Sequence, residues 1–355
     1  MINKVLVYPK ESNPYQELLY NQVRKKMEIR YLVPLTQSKS LGLFFIPLQL
    51  INYRIKGYKF FHLHWVFGFT FPGNNFLSKF TSSIYYYFIL LFIKICGYRI
   101  IWTVHNILPH NNLFLNDIAA RRFLSKIASI KIIHSPVTIE MMRKYKFSIK
   151  NYHVVPLGNY INIYPNYISK SVARRRLKIN QKAFVFLYFG KIERYKGVLN
   201  LLKQYLSLNN PNTILIVAGQ CEDDELRYQI KKYENNKRIQ LYINYIKDEE
   251  VQNYFNASNI IVCPFSKITT SSTVILAFSF KKTIMYPAIG NLKDIPPNIG
   301  CKYNYLIKDG LKQKMSWVIQ NRNMIEIWNK NAFNFAKSLS WNKAADKTYE
   351  IYKNL

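Results

Sequence analysis

From Ala183 onward the chain repeats one pattern: a short apolar run rich in β-branched and aromatic residues closes on a small or polar residue, and a helical segment follows. The runs are AFVFLYFG (183–190), TILIVAG (213–219), IQLYINYI (239–246), NIIVCPF (259–265) and KTIMYP (282–287). Strands that alternate with helices can pair only in parallel, because each helix carries the chain back across the sheet. Such strands are covered on both faces and read as unbroken apolar runs. The first half shows the same alternation in KVLVYP (4–9), KFFHLHWV (59–66), RIIWTVH (99–105) and KIIHSP (131–136), with amphipathic segments such as NPYQELLYNQVRKK (13–26) between them. The first series ends at the Pro and Gly of NYHVVPLGNY (151–160), and SVARRRLKI (171–179) reads as a short helix before the second begins.

The expectation is therefore an α/β chain of two doubly wound domains, 1–158 and 182–338, joined by a linker at 159–181. The segment 339–355, with SWNKAADKTYEIYKNL, forms a terminal amphipathic helix that crosses back to the first domain. A chain of 355 residues, 49% hydrophobic, can bury two cores of ordinary depth. Cys96, Cys221, Cys263 and Cys301 lack metal or redox spacing, and the chain opens directly on a strand. Both features point to the reducing cytoplasm, with no disulfides, zinc or targeting segment. The stretch SIYYYFILLFIKICGY (83–98) falls short of the roughly 20 apolar residues a bilayer requires and is expected to be a buried helix packed on a sheet.

The formal charge is +32, from 51 Lys and Arg against 19 Asp and Glu, and half of it lies in residues 1–158. So strong a field favours anionic partners: nucleic acid, an acidic membrane leaflet or phosphorylated substrates. Nucleic acid is the weaker choice, because the charge is diffuse and no RNP, KH, zinc-finger or helix-turn-helix signature is present. The many Lys, Ile, Asn and Tyr residues are also what an AT-rich genome would encode.

In open parallel sheets ligands bind beyond the carboxyl ends of the strands, where helix N-termini carry partial positive charge. Two segments stand at such ends in the second half. GKIERYKG (190–197) offers Gly190 for close backbone approach and Lys191, Arg194 and Lys196 as anion contacts. PFSKITTSSTVILAFSF (264–280) offers the hydroxyl run Thr269 to Thr273, although simple N-capping needs only one hydroxyl.

YFGKIERYKGVLNLL, IVAG, the NYIKDEEVQNYFNASNIIVCPF block, the hydroxyl loop and the closing SW…A…TY…IY helix together resemble the GT-B glycosyltransferases of the family four superfamily. YPKESNPYQELLY, HLHWVFGF, WTVHNILPHNN and PLGNYINIYPNYISKSVARRRLKI are similar to bacterial enzymes of exopolysaccharide and capsule assembly, including xanthan-type glycolipid mannosyltransferases. The likeness covers nearly the whole chain. It implies two Rossmann-like domains facing across a cleft, the first binding the acceptor and the second a nucleoside-diphosphate sugar. It further implies a metal-independent, hexosyltransferase-like enzyme without a cofactor, which moves sugar onto a polyprenyl-diphosphate-linked glycan. Such an enzyme lies in the cytoplasm, peripheral on the inner face of the membrane; Tyr85 to Tyr87 with Phe88, and Arg24 to Lys26, are candidate membrane contacts.

Carried over by residue, Gly190, Lys191, Arg194 and Lys196 contact the donor diphosphate. Gly219, Pro264, Thr270, Ser271, Ser272 and Thr273 complete that site, and Tyr245 and Ile246 frame the nucleobase. The chain departs from the family where two glutamates stand on the donor loop of many retaining members, since Ile268 and Leu276 occupy those places. Leu157 likewise stands where close relatives often have histidine. These departures leave retention or inversion open, and they suit a catalytically inactive glycosyltransferase-like scaffold as an alternative.

All six histidines lie in the first domain, and no carboxylate occurs between Glu28 and Asp117. His105, at a strand end, is thus the candidate base or donor-sugar partner, and Asp117 the rival base. Asp117 also reads as an ordinary helix start paired with Arg121. His64, Trp65, Asn106 and His110 are candidate acceptor contacts, with His62 sharing the face of His64.

Overall fold

The computed structural model describes residues 4–11, 14–109 and 111–355. The chain divides into two compact units, residues 1–158 with 340–355, and residues 159–339.

In the first unit β1 (Lys4–Tyr8), α1 (Pro14–Val23), β2 (Glu28–Tyr31), α2 (Lys39–Ile55), β3 (Phe60–Leu63) and α3 (Phe76–Ile95) are followed by β4 (Arg99–Thr103), α4 (Asp117–Ile127), β5 (Ile130–Ile133), α5 (Val137–Lys144) and β6 (Tyr152–Val154). The sheet order is β2-β1-β3-β4-β5-β6, all parallel. The order reverses between β1 and β3, so the switch point lies beside their carboxyl ends, where His64 follows β3. The core gathers Leu6, Phe61, Leu63, Ile100 and Trp102 from the strands with Ile46, Leu50, Tyr86, Ile89 and Ile93 from α2 and α3.

In the second unit α6 (Lys170–Arg176) precedes β7 (Phe184–Phe189), α7 (Val198–Leu206), β8 (Thr213–Ala218), α8 (Asp224–Lys231), β9 (Ile239–Tyr242), α9 (Val251–Ala257) and β10 (Ile260–Val262). Then come α10 (Ser272–Ser279), β11 (Ile284–Pro287), β12 (Cys301–Tyr303), α11 (Gly310–Gln320) and α12 (Met324–Ser338). The order β12-β11-β10-β7-β8-β9 is that of a dinucleotide-binding sheet, with its switch point between β7 and β10. GKIERYKG follows β7 and PFSKITT follows β10, so the two segments singled out above border that point.

The final helix, α13 (Trp341–Lys353), belongs to the first unit. It packs on α1, and the Tyr352 hydroxyl lies 2.5 Å from His62 Nδ1. The stretch 159–181 packs into the second unit: buried Arg174 donates to the carbonyls of Ala257 (3.0 Å) and Gln181 (2.5 Å) and to Asn259 Oδ1 (2.8 Å).

Two sequence expectations change here. The run 239–246 leaves the ladder at Tyr242, because β9 is an edge strand and its one neighbour, β8, ends at Ala218 opposite Tyr242. The apolar helix begins earlier than expected, at Phe76, and is not buried all round; Ile84, Phe88, Leu91 and Ile95 are exposed.

Candidate functional site

The first unit brings four histidines into one hydrogen-bonded row at the carboxyl ends of β3, β4 and β5. His134 Nδ1 lies 2.9 Å from the Val155 carbonyl, an oxygen that can only accept. That fixes the row. His134 presents bare Nε2 to His105 Nδ1 (3.2 Å), which must therefore donate. His105 Nε2 then accepts from His64 Nδ1 (3.0 Å), and His64 Nε2 accepts from the Tyr20 hydroxyl (2.6 Å). Tyr20 also meets His62 Nδ1 (2.8 Å), whose Nε2 reaches Thr103 Oγ1 (2.7 Å).

Every ring nitrogen in the row is satisfied with all four imidazoles neutral, which is the form that burial favours. Desolvation pulls His62 down to about 3 and His134 to about 4, the latter partly opposed by the Val155 carbonyl. It takes His64 and His105 well below the ordinary range, with neighbouring imidazoles adding to the effect. Trp65 stacks on His105 at 4.4 Å and 12°, and Tyr15 meets the same ring edge-on.

His105 was expected to offer a nitrogen at its strand end. It offers none in this arrangement, because His64 and His134 occupy both. His64 and Trp65 likewise belong to the row and its stack, while Asn106 is half-buried directly after it. His110 lies outside the described residues.

Asp117 is the first residue of α4, behind Asn116, whose side chain caps the helix by accepting from Ala119 N. Its carboxylate accepts from the Leu113 amide (3.2 and 3.3 Å to the two oxygens), tying down the loop that follows β4. Burial raises its pKa, opposed by the Leu113 amide and by Arg121. Arg121 lies buried over the Trp102 ring, 5.9 Å from its centroid, and its Nε has no hydrogen-bond partner. A carboxylate has about four lone-pair directions, so these contacts leave Asp117 with accepting capacity that His105 lacks.

The second unit builds its candidate site on two glycines and a run of hydroxyls. Gly190 (φ +117°) and Gly219 (φ +147°) close β7 and β8 side by side, in conformations that side chains avoid. Gly219 packs so tightly that a Cβ there would strike the Gly190 carbonyl. A Cβ on Gly190 would stand 3.0 Å from Thr273 Oγ1, in the first turn of α10. No side chain caps α10. Thr270 Oγ1 is buried without a hydrogen-bond partner, as is Asn291 Oδ1 in the adjoining loop, where Asn291 N donates to the Thr269 carbonyl (3.2 Å). Ser271 is buried, and the Ser272 hydroxyl is held by Tyr160. Pro264 backs on to Gly197 at the start of α7.

The basic loop is less free than its sequence implied. Arg194 is committed to α8, with Nε 2.6 Å from Asp223 and Nη2 2.6 Å from Glu225, and Lys191 pairs with Glu222 at 2.9 Å. Lys196 donates to the Lys191 carbonyl (2.8 Å) and lies 3.3 Å from Glu193, while burial lowers its pKa. Glu193, Glu222, Asp223 and Glu225 are therefore the neighbours that sequence reasoning missed. Asp223 itself caps α8 by accepting from Leu226 N (2.9 Å). Ile246 is buried, whereas Tyr245 is exposed, with its carbonyl taken by Asn244 Nδ2 (2.9 Å). Leu276 is buried in α10, and residues 264–280 contain no carboxylate.

Residues 169–335 match the family Glycosyl transferases group 1. The chain is 20% identical to the GDP-mannose:glycolipid 4-beta-D-mannosyltransferase of Xanthomonas campestris over 277 residues, 78% of this chain and 70% of that protein. Among solved structures, sucrose-phosphate synthase from Thermosynechococcus elongatus superposes with a TM-score of 0.79 at 15% identity, covering 100% of this chain and 99% of the other. Anabaena HepE, solved in complex with UDP, gives 0.75 at 13% identity, covering 99% and 100%. Two parallel six-stranded sheets that share the GT-B fold across the whole chain, with a match to the Glycosyl transferases group 1 model over residues 169–335 of the second unit, mark the protein as a glycosyltransferase of GT-B fold.

Proposed function

We propose that the second unit binds a nucleoside-diphosphate sugar and that the enzyme transfers its sugar to a lipid-linked glycan during assembly of an exopolysaccharide, capsule or related surface polymer. The single observation that carries the donor half is the cluster at the switch point: glycines 190 and 219 stripped of side chains, the uncapped N-terminus of α10, and the unsatisfied Thr270 hydroxyl. A diphosphate supplies the acceptor oxygens that such a cluster needs. Support for the nucleotide comes from HepE, whose structure contains UDP, and support for the glycolipid from the named activity of the Xanthomonas relative.

In the transfer, an acceptor oxygen forms the new bond to the anomeric carbon while the bond from that carbon to the diphosphate oxygen breaks. The acceptor proton passes to a base, and the nucleoside diphosphate leaves as the anion. Asp117 is the better base of the two candidates, because its carboxylate keeps open lone pairs. The α10 amides with Lys191 and Lys196 stabilise the leaving charge, so the reaction proceeds with chelator present and without a cofactor. The enzyme works at the cytoplasmic face of the membrane, where a lipid-linked glycan and nucleotide sugars meet.

UDP, GDP, ADP and dTDP test the donor site by thermal stability. The matching nucleotide at 100 times its Kd stabilises the second unit by about 2.7 kcal/mol. Thr270→Val keeps the fold and weakens that nucleotide about tenfold, as loss of one hydrogen bond to a charged group predicts. No shift with any of the four would remove the donor assignment.

A further inference from the structure

The helices α2 and α3 have two apolar stripes each, and the fold uses only one. On α2 the inner stripe, including Leu43, Ile46 and Leu50, is buried, while Leu41, Phe44, Leu48, Ile51 and Ile55 face solvent. On α3 the inner stripe includes Tyr86, Ile89 and Ile93, and the outer one runs Leu77, Phe80, Ile84, Phe88, Leu91 and Ile95. All the outer residues are between 42 and 81% exposed, at the three-and-four spacing that makes a continuous face. The two helices lie alongside each other. The Tyr85 hydroxyl donates to the Leu43 carbonyl (2.5 Å), and near their C-terminal ends Arg54 Nε donates to the Cys96 carbonyl (3.0 Å). The outer stripes therefore place eleven exposed large apolar side chains on two adjacent helices, the kind of patch that marks an interaction surface.

We infer that the outer face of α2 and α3 is a monotopic membrane anchor that inserts into an anionic lipid leaflet. The charge around it selects this occupant. Residues 29–116 contain no Asp or Glu and eight Lys or Arg. Four of these, Arg54, Lys56, Lys94 and Arg99, gather about the C-terminal ends of the two helices, the arrangement of an apolar wedge with a cationic rim. A protein partner would bring satisfied polar contacts at its rim, whereas Glu28, the acidic side chain beside the end of α2, is already engaged by Tyr58, Lys4 and Arg30.

α3 has the length and composition of a membrane-spanning helix, but it is anchored from inside. Tyr86 donates to the Ala120 carbonyl (3.2 Å) and packs on Phe114 at 4.5 Å between centroids. The helix therefore lies in the interface rather than crossing it. The contacts expected from sequence are displaced by this reading. Tyr85 and Tyr86 point into the core, Arg24 lies over Tyr31, and Lys26 pairs with Asp346; Phe88 alone of that set is well exposed on the face. The inference deepens the lipid-acceptor reading and rests on it only for the purpose of the anchor.

The test is flotation of the full chain, without donor, on phosphatidylglycerol-containing and pure phosphatidylcholine vesicles, alongside the Leu48→Glu/Ile84→Glu double variant. Both substituted positions are exposed, so the variant folds; its melting temperature and its stabilisation by nucleoside diphosphate stay at the wild-type values. The expected result is binding to the anionic vesicles, reduced at least about tenfold in the double variant. Equal flotation of both proteins, or none by either, overturns the inference. So does conversion of a dimer to a monomer by the double variant in analytical ultracentrifugation, which would make a second copy the occupant. The nucleotide readout is separate from lipid, so a failed anchor and a failed donor site give different patterns.

Discussion

Gly219→Ala is expected to destabilise the second unit by about 3 kcal/mol and to abolish stabilisation by nucleoside diphosphate. The strands β7 and β8 run in register to Phe189 opposite Ala218, and the chain then turns at Gly190 and Gly219 together. A methyl on Gly219 meets the Gly190 carbonyl, a backbone atom held in place because the Gly190 amide donates to Ala218 (3.0 Å). The positive φ of +147° adds strain that an L side chain cannot relieve locally. Relief requires the Gly190 turn to move, and with it the proposed phosphate site. For a unit of this size the melting temperature falls by roughly 6 to 12 °C. Gly190→Ala makes the informative comparison, since it carries the strain of a positive φ (+117°) but its methyl meets the rotatable Thr273 hydroxyl rather than backbone. It disturbs nucleotide binding with a smaller loss of stability. Calorimetry with and without nucleotide separates the two variants, and identical melting curves would contradict the packing account.

The second large effect is acid sensitivity confined to the first unit. His62 and His134 have folded pKa values of about 3 and about 4, below the roughly 6.5 of an unfolded chain. Between those limits the unfolded state binds more protons than the folded one, so stability is full above pH 6.5 and drains away as pH falls toward 4. Together these two residues remove about 5 kcal/mol between pH 8 and pH 4.5, and His64 and His105, shifted in the same direction, add to the loss. The second unit provides an internal control because it contains no histidine. Lys282 there, pulled down to about 7 by burial beside Lys170 and Arg174, titrates mostly above that window. Hydrogen exchange at pH 7.5 and pH 5 is expected to show protection lost first in β3, β4 and β5. Uniform loss across both sheets would refute the role given to the row.

The interior strands were legible because burial on both faces leaves no choice of residue type, as PheValPheLeuTyrPhe in β7 and ThrIleLeuIleValAla in β8 show. The strands that sequence reading passed over, β2, β6 and β12, are sheet edges of three or four residues. There one face meets water and the pattern reduces to EIRY, YHV and CKY. The helical nature of 83–95 was legible but its exposure was not, because a helix apolar all round reads the same whether protein or lipid covers its second stripe.

At the sites, the alternation of His62 and His64 placed both on one face, and their rings stack at 4.3 Å. Their union with His134 and Tyr20 depends on which strands become neighbours, information no local pattern holds. The same distance in sequence hid the partners of Arg194, since Asp223 and Glu225 stand 29 and 31 residues away. GKIERYKG and PFSKITT nevertheless stand beside the reversal of strand order, as the switch-point rule expects, because that rule depends on strand order and not on side chains.

The proposed transfer of sugar to a lipid-linked acceptor is measured most directly with a panel of labelled nucleotide sugars and a bacterial membrane lipid extract, with chelator present. The account predicts that label enters the lipid fraction from one nucleoside-diphosphate sugar, that nucleoside diphosphate is released in equal amount, and that Asp117→Asn lowers kcat by about 10²- to 10⁴-fold. Absence of transfer from every donor, by a protein that nevertheless binds nucleoside diphosphate and lipid vesicles, would contradict it.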